Sequence, residues 1–182
     1  MSSPVIGPEL TDGVVLVRPP VEGDAASIFA ACQDPEVSRF TALPAPYEWH
    51  HAAGWIAGAP EAWRMRTSTP MVVADAMTGD LLGACGLVEM TEDQAEIGYW
   101  VKRQTRGRGV ATRAVLLVTH WGLTDLGLSV IELLADVRNV ASHRVAEKAG
   151  YTRDGEVPPP ARAAGRCERM VRFVRSDTGA WT

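Results

Sequence analysis

At 182 residues with 46% hydrophobic content, the chain is long enough to bury the core of one globular domain spanning 1–182. Its net charge of −4 argues against a direct nucleic-acid binder. No run approaches the ~18 uninterrupted apolar residues of a spanning helix, and the opening MSSPVIGPEL lacks the basic and apolar regions of a leader.

Cys32, Cys85 and Cys167 stand far apart without a CxxC pair, so neither a disulfide framework nor a zinc site is implied. A cytoplasmic protein with reduced thiols, no metal and no membrane attachment is the expectation.

The first predicted element is a strand over residues 13–18 (GVVLVR), β-branched and closed by Pro19-Pro20. Asp24 is expected to cap a helix over 24–33, and Asp34-Pro35 to start a short one reaching Phe40. A third helix, over 48–59 and bounded by Pro46 and Pro60, carries Trp49, Trp55, His50 and His51. It reads either as cover for a pocket or as core packing. Residues 69–76 and 81–90 form a predicted hairpin turning at Gly79, and 94–101 is a third strand.

After a basic turn, apolar residues at helical spacing predict a helix over 108–125 ended by Gly127. Residues 130–136 are the next strand, so the unit from Gln94 to Asp136 is βαβ with a parallel pair. Asn139 caps a helix that stops at Gly150, and strands over 151–157 and 166–174 close the chain. The last carries Arg166, Arg169, Arg172 and Arg175, which read as a solvated edge.

The turn holds the chemistry. Lys102, Arg103, Arg106, Arg108 and Arg113 fall within twelve residues, interrupted by Gly107 and Gly109. A charge run of this kind is often a solvated face. Glycines opening a helix also describe an anion site, because the first N–H groups of the helix lack internal partners and sit at its positive end.

Gln104-Thr105-Arg106-Gly107-Arg108-Gly109 has the Q/R-x-x-G-x-G/A spacing of the GCN5-related N-acetyltransferases (GNAT) and resembles that superfamily. The RimJ/RimL-like branch is resembled in VVLVRPP followed by Asp24, in Glu96-Ile97-Gly98-Tyr99-Trp100-Val101, and in Asn139-Val-Ala-Ser142 leading to Glu147-Lys148-Ala149-Gly150-Tyr151. Together these cover residues 14–151.

The resemblance implies an α/β fold: a central mixed sheet with a bulged, splayed strand pair and helices on both faces. It implies acetyl-CoA as donor, a primary amine as acceptor (a protein N-terminus such as that of a ribosomal protein, or a small molecule), and direct attack without an acyl-enzyme. It allows a homodimer. On this reading the turn Gln104, Thr105, Arg106, Gly107, Arg108 and Gly109, with the Val110 amide, holds the pyrophosphate, and Ala111, Asn139, Ser142 and Lys148 are also against the cofactor. Tyr99, Trp100 and Val101 pair with pantetheine as an added strand would. A bulge near Gly98 opens the slot.

Glu96 is the first candidate for accepting the amine proton, ahead of Glu89 and Asp93. The leaving thiolate needs a donor. Many members place a tyrosine where this chain has Ala146, and Ser142 is the replacement the branch suggests. Tyr151 reads as packing, and His143 as a surface partner of Glu147. Binding of CoA without catalysis remains the other reading, motivated by Ala146.

Overall fold

A computed structural model describes residues 7–176; the first residues of the opening segment assessed for a leader lie outside the described residues. The strands are β1 (Leu10–Thr11), β2 (Val15–Arg18), β3 (Val72–Asp75), β4 (Leu81–Val88), β5 (Gln94–Val101), β6 (Val130–Asp136), β7 (Thr152–Val157) and β8 (Met170–Ser176). The helices are α1 (Ala25–Ala31), α2 (Pro35–Phe40), α3 (Trp49–Met65), α4 (Val110–Thr124) and α5 (Val140–Lys148). They build one mixed sheet of order β1-β2-β3-β4-β5-β6-β8-β7.

Strand alternation divides the apolar residues between two layers. Val15, Val17, Val73, Cys85, Leu87, Ile97 and Ile131 face α4 and α5 in the larger core. Val72 and Leu81 join Ile28 of α1, Cys32 just after it and Ala52 of α3 in the smaller one. Helices therefore cover both faces, and the predicted chain order of elements holds with β1 added.

Local chemistry explains the departures. Asp24 does not cap α1; its carboxylate takes both guanidinium nitrogens of Arg18 (2.8 and 2.9 Å) and the Val21 N–H (2.8 Å). The third helix runs on through Pro60 to Met65; Pro60 lies on the exposed side, where a missing backbone donor is least costly. Tyr151 lies before β7 and is buried, its hydroxyl 2.6 Å from that of Thr119.

The arginine-bearing strand is no edge. β8 runs between β6 and β7, and its residues are matched to partners. Arg172 bridges Glu132 (3.5 Å) and Asp154 (2.9 Å), Arg175 donates to the Ala149 carbonyl, and Arg169, just before the strand, meets Glu156 at 2.9 Å. Arg166 sits before the strand and donates to the carbonyls of Ser38, Thr41 and Leu43 at 3.2, 2.8 and 2.8 Å. It ties residues 158–167 to the end of α2.

The decisive feature lies between β5 and β6. They pair in parallel only from Gln94↔Val130 to Glu96↔Glu132, while β5 stays in register with β4 through Gly83↔Val101 and β6 with β8 along its whole length. The strands splay as expected, but the expected bulge near Gly98 is absent, since the β4–β5 register is unbroken. Gly98 faces Gly86 across that pair, and two opposed glycines let the ribbon bend without an inserted residue.

Gly86 is also fixed by contact. A Cβ there would lie 2.2 Å from the Thr69 carbonyl oxygen. Gly86→Ala is expected to destabilise the fold by about 2 kcal/mol, lowering Tm by roughly 4–8 °C. Differential scanning calorimetry reads this, and an unchanged Tm would show that the Thr69 segment yields freely.

Candidate active site

A cavity of about 1100 Å³ occupies the parting of β5 and β6. Ile97–Val101 line it from one strand and Leu133–Asp136 from the other; Asn139, Ser142 and Lys148 of α5 and residues 105–107 and 109–112 of the turn and α4 complete that end. Among the described residues, the edge of β5 that faces β6 has no strand partner beyond Glu96. Apart from the Val101 carbonyl, which accepts Arg106 Nη2 at 3.5 Å, its backbone N–H and C=O groups are open to a ligand carrying amides.

At the turn, Gly107 and Gly109 adopt φ +76° and +77°, and a Cβ on either would meet nothing within 4 Å. Such φ values favour glycine, and the open space lets a ligand reach the backbone. Gly109 is the N-cap of α4. Arg113 N–H is bonded to the Gly109 carbonyl at 3.0 Å, so the amides of Val110, Ala111 and Thr112 lack partners within the helix. They form a short row of donors at its positive end, suited to phosphate oxygens.

The side chains of the basic cluster divide. Arg106 is tied to α2, with Nη2 2.8 Å from Asp34 and Nη1 2.8 Å from Glu36. Arg113 pairs with Asp12 at 2.6 Å. Gln104 and Arg108 do not line the main cavity; with Lys102 they line a separate cleft of about 600 Å³. Among the described residues, Lys102, Arg103 and Arg108 have no ion pair. Expected contact of Gln104 and Arg108 with the cavity is thus not met by their side chains, and the Arg106 charge is already balanced. The missed signal was the Asp34-Pro35-Glu36 start of α2, which holds two carboxylates facing the turn.

Across the cavity, Ser142 Oγ lies 2.7 Å from the Tyr99 hydroxyl. Asn139 Oδ1 accepts the Ser142 N–H at 3.2 Å, capping α5 as predicted and fixing the serine backbone. Burial pushes the Tyr99 phenol up to about 12, with the Ser142 hydrogen bond opposing. Sequence reasoning used Tyr99 only for its backbone and missed its hydroxyl. Ala146 is fully buried in the main core, so a tyrosine there would need room that this packing lacks.

Glu96 sits at the point where the strands part, its carboxylate paired with Arg162 of residues 161–163. Burial holds its carboxyl above the ordinary carboxylate range; Arg162 pulls it down, and Glu89 and Glu132 push it up. Glu89 also lines the cavity, 3.6 Å from Arg162, whereas Asp93 does not line it. Glu132, the register partner of Glu96, and Arg162 were not foreseen. Their approach follows from pairing and from the 158–167 connection rather than from spacing.

Among the aromatic residues, Trp55 and His51 line the cavity. Trp63 packs on Trp121 with ring centroids 5.6 Å apart, and Trp49 stacks edge-on to Phe29 at 5.8 Å. His143 does not pair with Glu147: its Nε2 is 3.0 Å from the Asp136 carbonyl and its ring packs on Phe173. Cys32 and Cys85 are buried, and burial raises the Cys32 thiol to about 11.

The family model described as acetyltransferase (GNAT) domain matches residues 15–152. The uncharacterized N-acetyltransferase p20 of Bacillus licheniformis is 30% identical over 98 residues, covering 53% of this chain and 55% of that protein. Spermidine N(1)-acetyltransferase of Escherichia coli K12 is 32% identical over 93 residues, covering 48% and 50%. The chain thus spans about half the length of these two curated relatives. Mycobacterium smegmatis RimJ in complex with CoA-disulfide superposes with a TM-score of 0.81 at 21% identity, over 97% of this chain and 88% of that one. That likeness shows the fold.

The tie between α2 and the turn can be weighed. Arg106→Ala is expected to lower stability by about 1 kcal/mol, discounted for its partial exposure. A double-mutant cycle with Asp34→Asn in urea unfolding isolates the pair. Strictly additive effects would show that the contact contributes nothing.

Proposed function

The chain belongs to the acetyltransferase (GNAT) family, and from this we propose that it transfers acetyl from acetyl-CoA to a primary amine by direct attack in a ternary complex. The observation that carries the reading is the unpaired edge of β5 beyond Glu96, continuous with the open amides at the start of α4. One feature matches the pantetheine amides and the other the pyrophosphate.

In this proposal the backbone of Gly107 and Gly109 through Ala111 holds the diphosphate, with Thr105 at the turn's buried base. Arg106 acts by fixing the turn to α2. Tyr99–Val101 pair with the pantetheine and present N–H groups to the thioester carbonyl, where charge develops during attack. Glu96 takes the amine proton, directly or through water. Ser142 donates to the departing sulfur. Alignment of amine and thioester supplies much of the rate.

The acceptor follows the RimJ/RimL-like branch in this reading: the N-terminus of a protein, such as a ribosomal protein, or a small amine. The spermidine acetyltransferase among the relatives supports the second class and the RimJ-like fold the first. The three free cysteines suit a reducing cytoplasm. A second reading, CoA binding without turnover, draws on Ala146. The hydroxyl pair of Ser142 and Tyr99 favours turnover.

Isothermal titration is expected to show acetyl-CoA binding, weakened at least tenfold by Gly107→Trp in a variant whose circular dichroism is unchanged. Absent binding to the wild type would sink the proposal. A screen of Ser- and Ala-initiated peptides and spermidine, following thiol release, separates turnover from binding alone.

A base must be deprotonated to work, so kcat/KM is expected to fall as pH drops through the raised pKa of Glu96. Arg162→Ala removes the cation that lowers this pKa and moves the acid limb to higher pH. Glu96→Gln flattens the limb and lowers kcat/KM by about 100-fold. An acid limb that Arg162→Ala leaves in place would remove Glu96 from the proton path.

A further inference from the structure

We propose that Tyr99 is a positioning residue that orients the Ser142 hydroxyl toward the sulfur of CoA. The inference rests on the acetyl-transfer reading and adds a residue to it. A serine hydroxyl has one hydrogen. If Ser142 donated it to Tyr99, none would remain for a leaving thiolate. With Tyr99 as the donor across their 2.7 Å contact, the Ser142 hydrogen is freed for the sulfur and strengthened by the bond it accepts.

Three observations hold the pair in this arrangement. Asn139 Oδ1 takes the Ser142 N–H, locking the first turn of α5. Tyr99 is carried on β5 in unbroken register with β4, opposite buried Cys85. Both hydroxyl-bearing residues line the cavity where β5 and β6 separate. Burial keeps the phenol protonated to about 12, so it remains a donor throughout the working range.

The step balances without a proton leaving Tyr99. The N–C bond forms as the C–S bond breaks, and the electron pair leaves on sulfur. The amine proton passes to Glu96 or water. The thiolate, held by the Ser142 O–H, takes its proton from solvent on release.

The same geometry stabilises thiolate over thiol in bound CoA, which gives a test needing no acceptor. The readout is the affinity for CoA relative to acetyl-CoA, measured by isothermal titration on the full chain at pH 7 and pH 9.5. The titratable and charged groups that line the cavity with the pair include Cys85 on β4, Glu96 on β5, Asp136 on β6 (bridged to Arg138), and Arg144 and Lys148 on α5. Because the two ligands share their phosphates, the effects of these groups on phosphate binding cancel in the ratio.

In the wild type the ratio is expected to rise about tenfold across this range as the thiol ionises. Ser142→Ala and Tyr99→Phe are each expected to reduce the rise to twofold or less. A Tyr99→Phe variant that keeps the wild-type rise overturns the inference, as does a wild type with no rise. If acetyl-CoA fails to bind the wild type, the acetyl-transfer reading fails as well; if it binds while Tyr99→Phe keeps the rise, only the role of Tyr99 is lost.

Discussion

The structure depends on a competition between strand pairings. β5 is matched to β4 and β6 to β8 over nearly their full lengths, while β5 and β6 meet only at Gln94–Glu96 and Val130–Glu132. Each strand is held from its far side, so the interior of the sheet opens instead of its rim. A strand edge in that position leaves peptide groups without partners, and buried peptide groups require them. A ligand with amides of its own satisfies the requirement, and the cavity at the gap is large enough to admit one. The geometry that makes the sheet incomplete is therefore the one that would make it useful.

Several of the charges around this gap are paired. Arg106 is neutralised by Asp34 and Glu36, Arg162 by Glu96 and Glu89, and Arg138 by Asp136. These pairs join separate parts of the chain: α2 to the turn, and the 158–167 connection to β5. Their value is in placement, because half-exposed pairs add little stability. Arg144 and Lys148 line the cavity without an ion pair among the described residues, so cations there can add to the fixed peptide dipoles at the start of α4, which need no rearrangement when a ligand arrives.

Much of this was legible in the residues. The hairpin turn at Gly79 between 69–76 and 81–90 and the helical spacing after Val110 led to the right elements in order, and Asn139 caps α5 as its position suggested. Asp24 misled because the same carboxylate serves as a cap or an ion-pair partner, and Arg18 lay within reach. Pro60 misled because a proline on a helix's exposed side does not end it. The splay was anticipated through a bulge, yet the β4–β5 register is unbroken and two glycines, Gly86 and Gly98, stand opposed there. The Tyr99–Ser142 contact and the Arg162–Glu96 pair join residues 43 and 66 positions apart, a separation at which local patterning carries no signal.

The central claim is that the parted strands and the turn before α4 together receive acetyl-CoA. Hydrogen–deuterium exchange with and without acetyl-CoA tests it at the level of individual amides. The account predicts slowed exchange at Gly98–Val101 and at Gly107–Thr112, with little change in β1–β3. Slowing elsewhere, with those two segments exchanging as in the free protein, would contradict it.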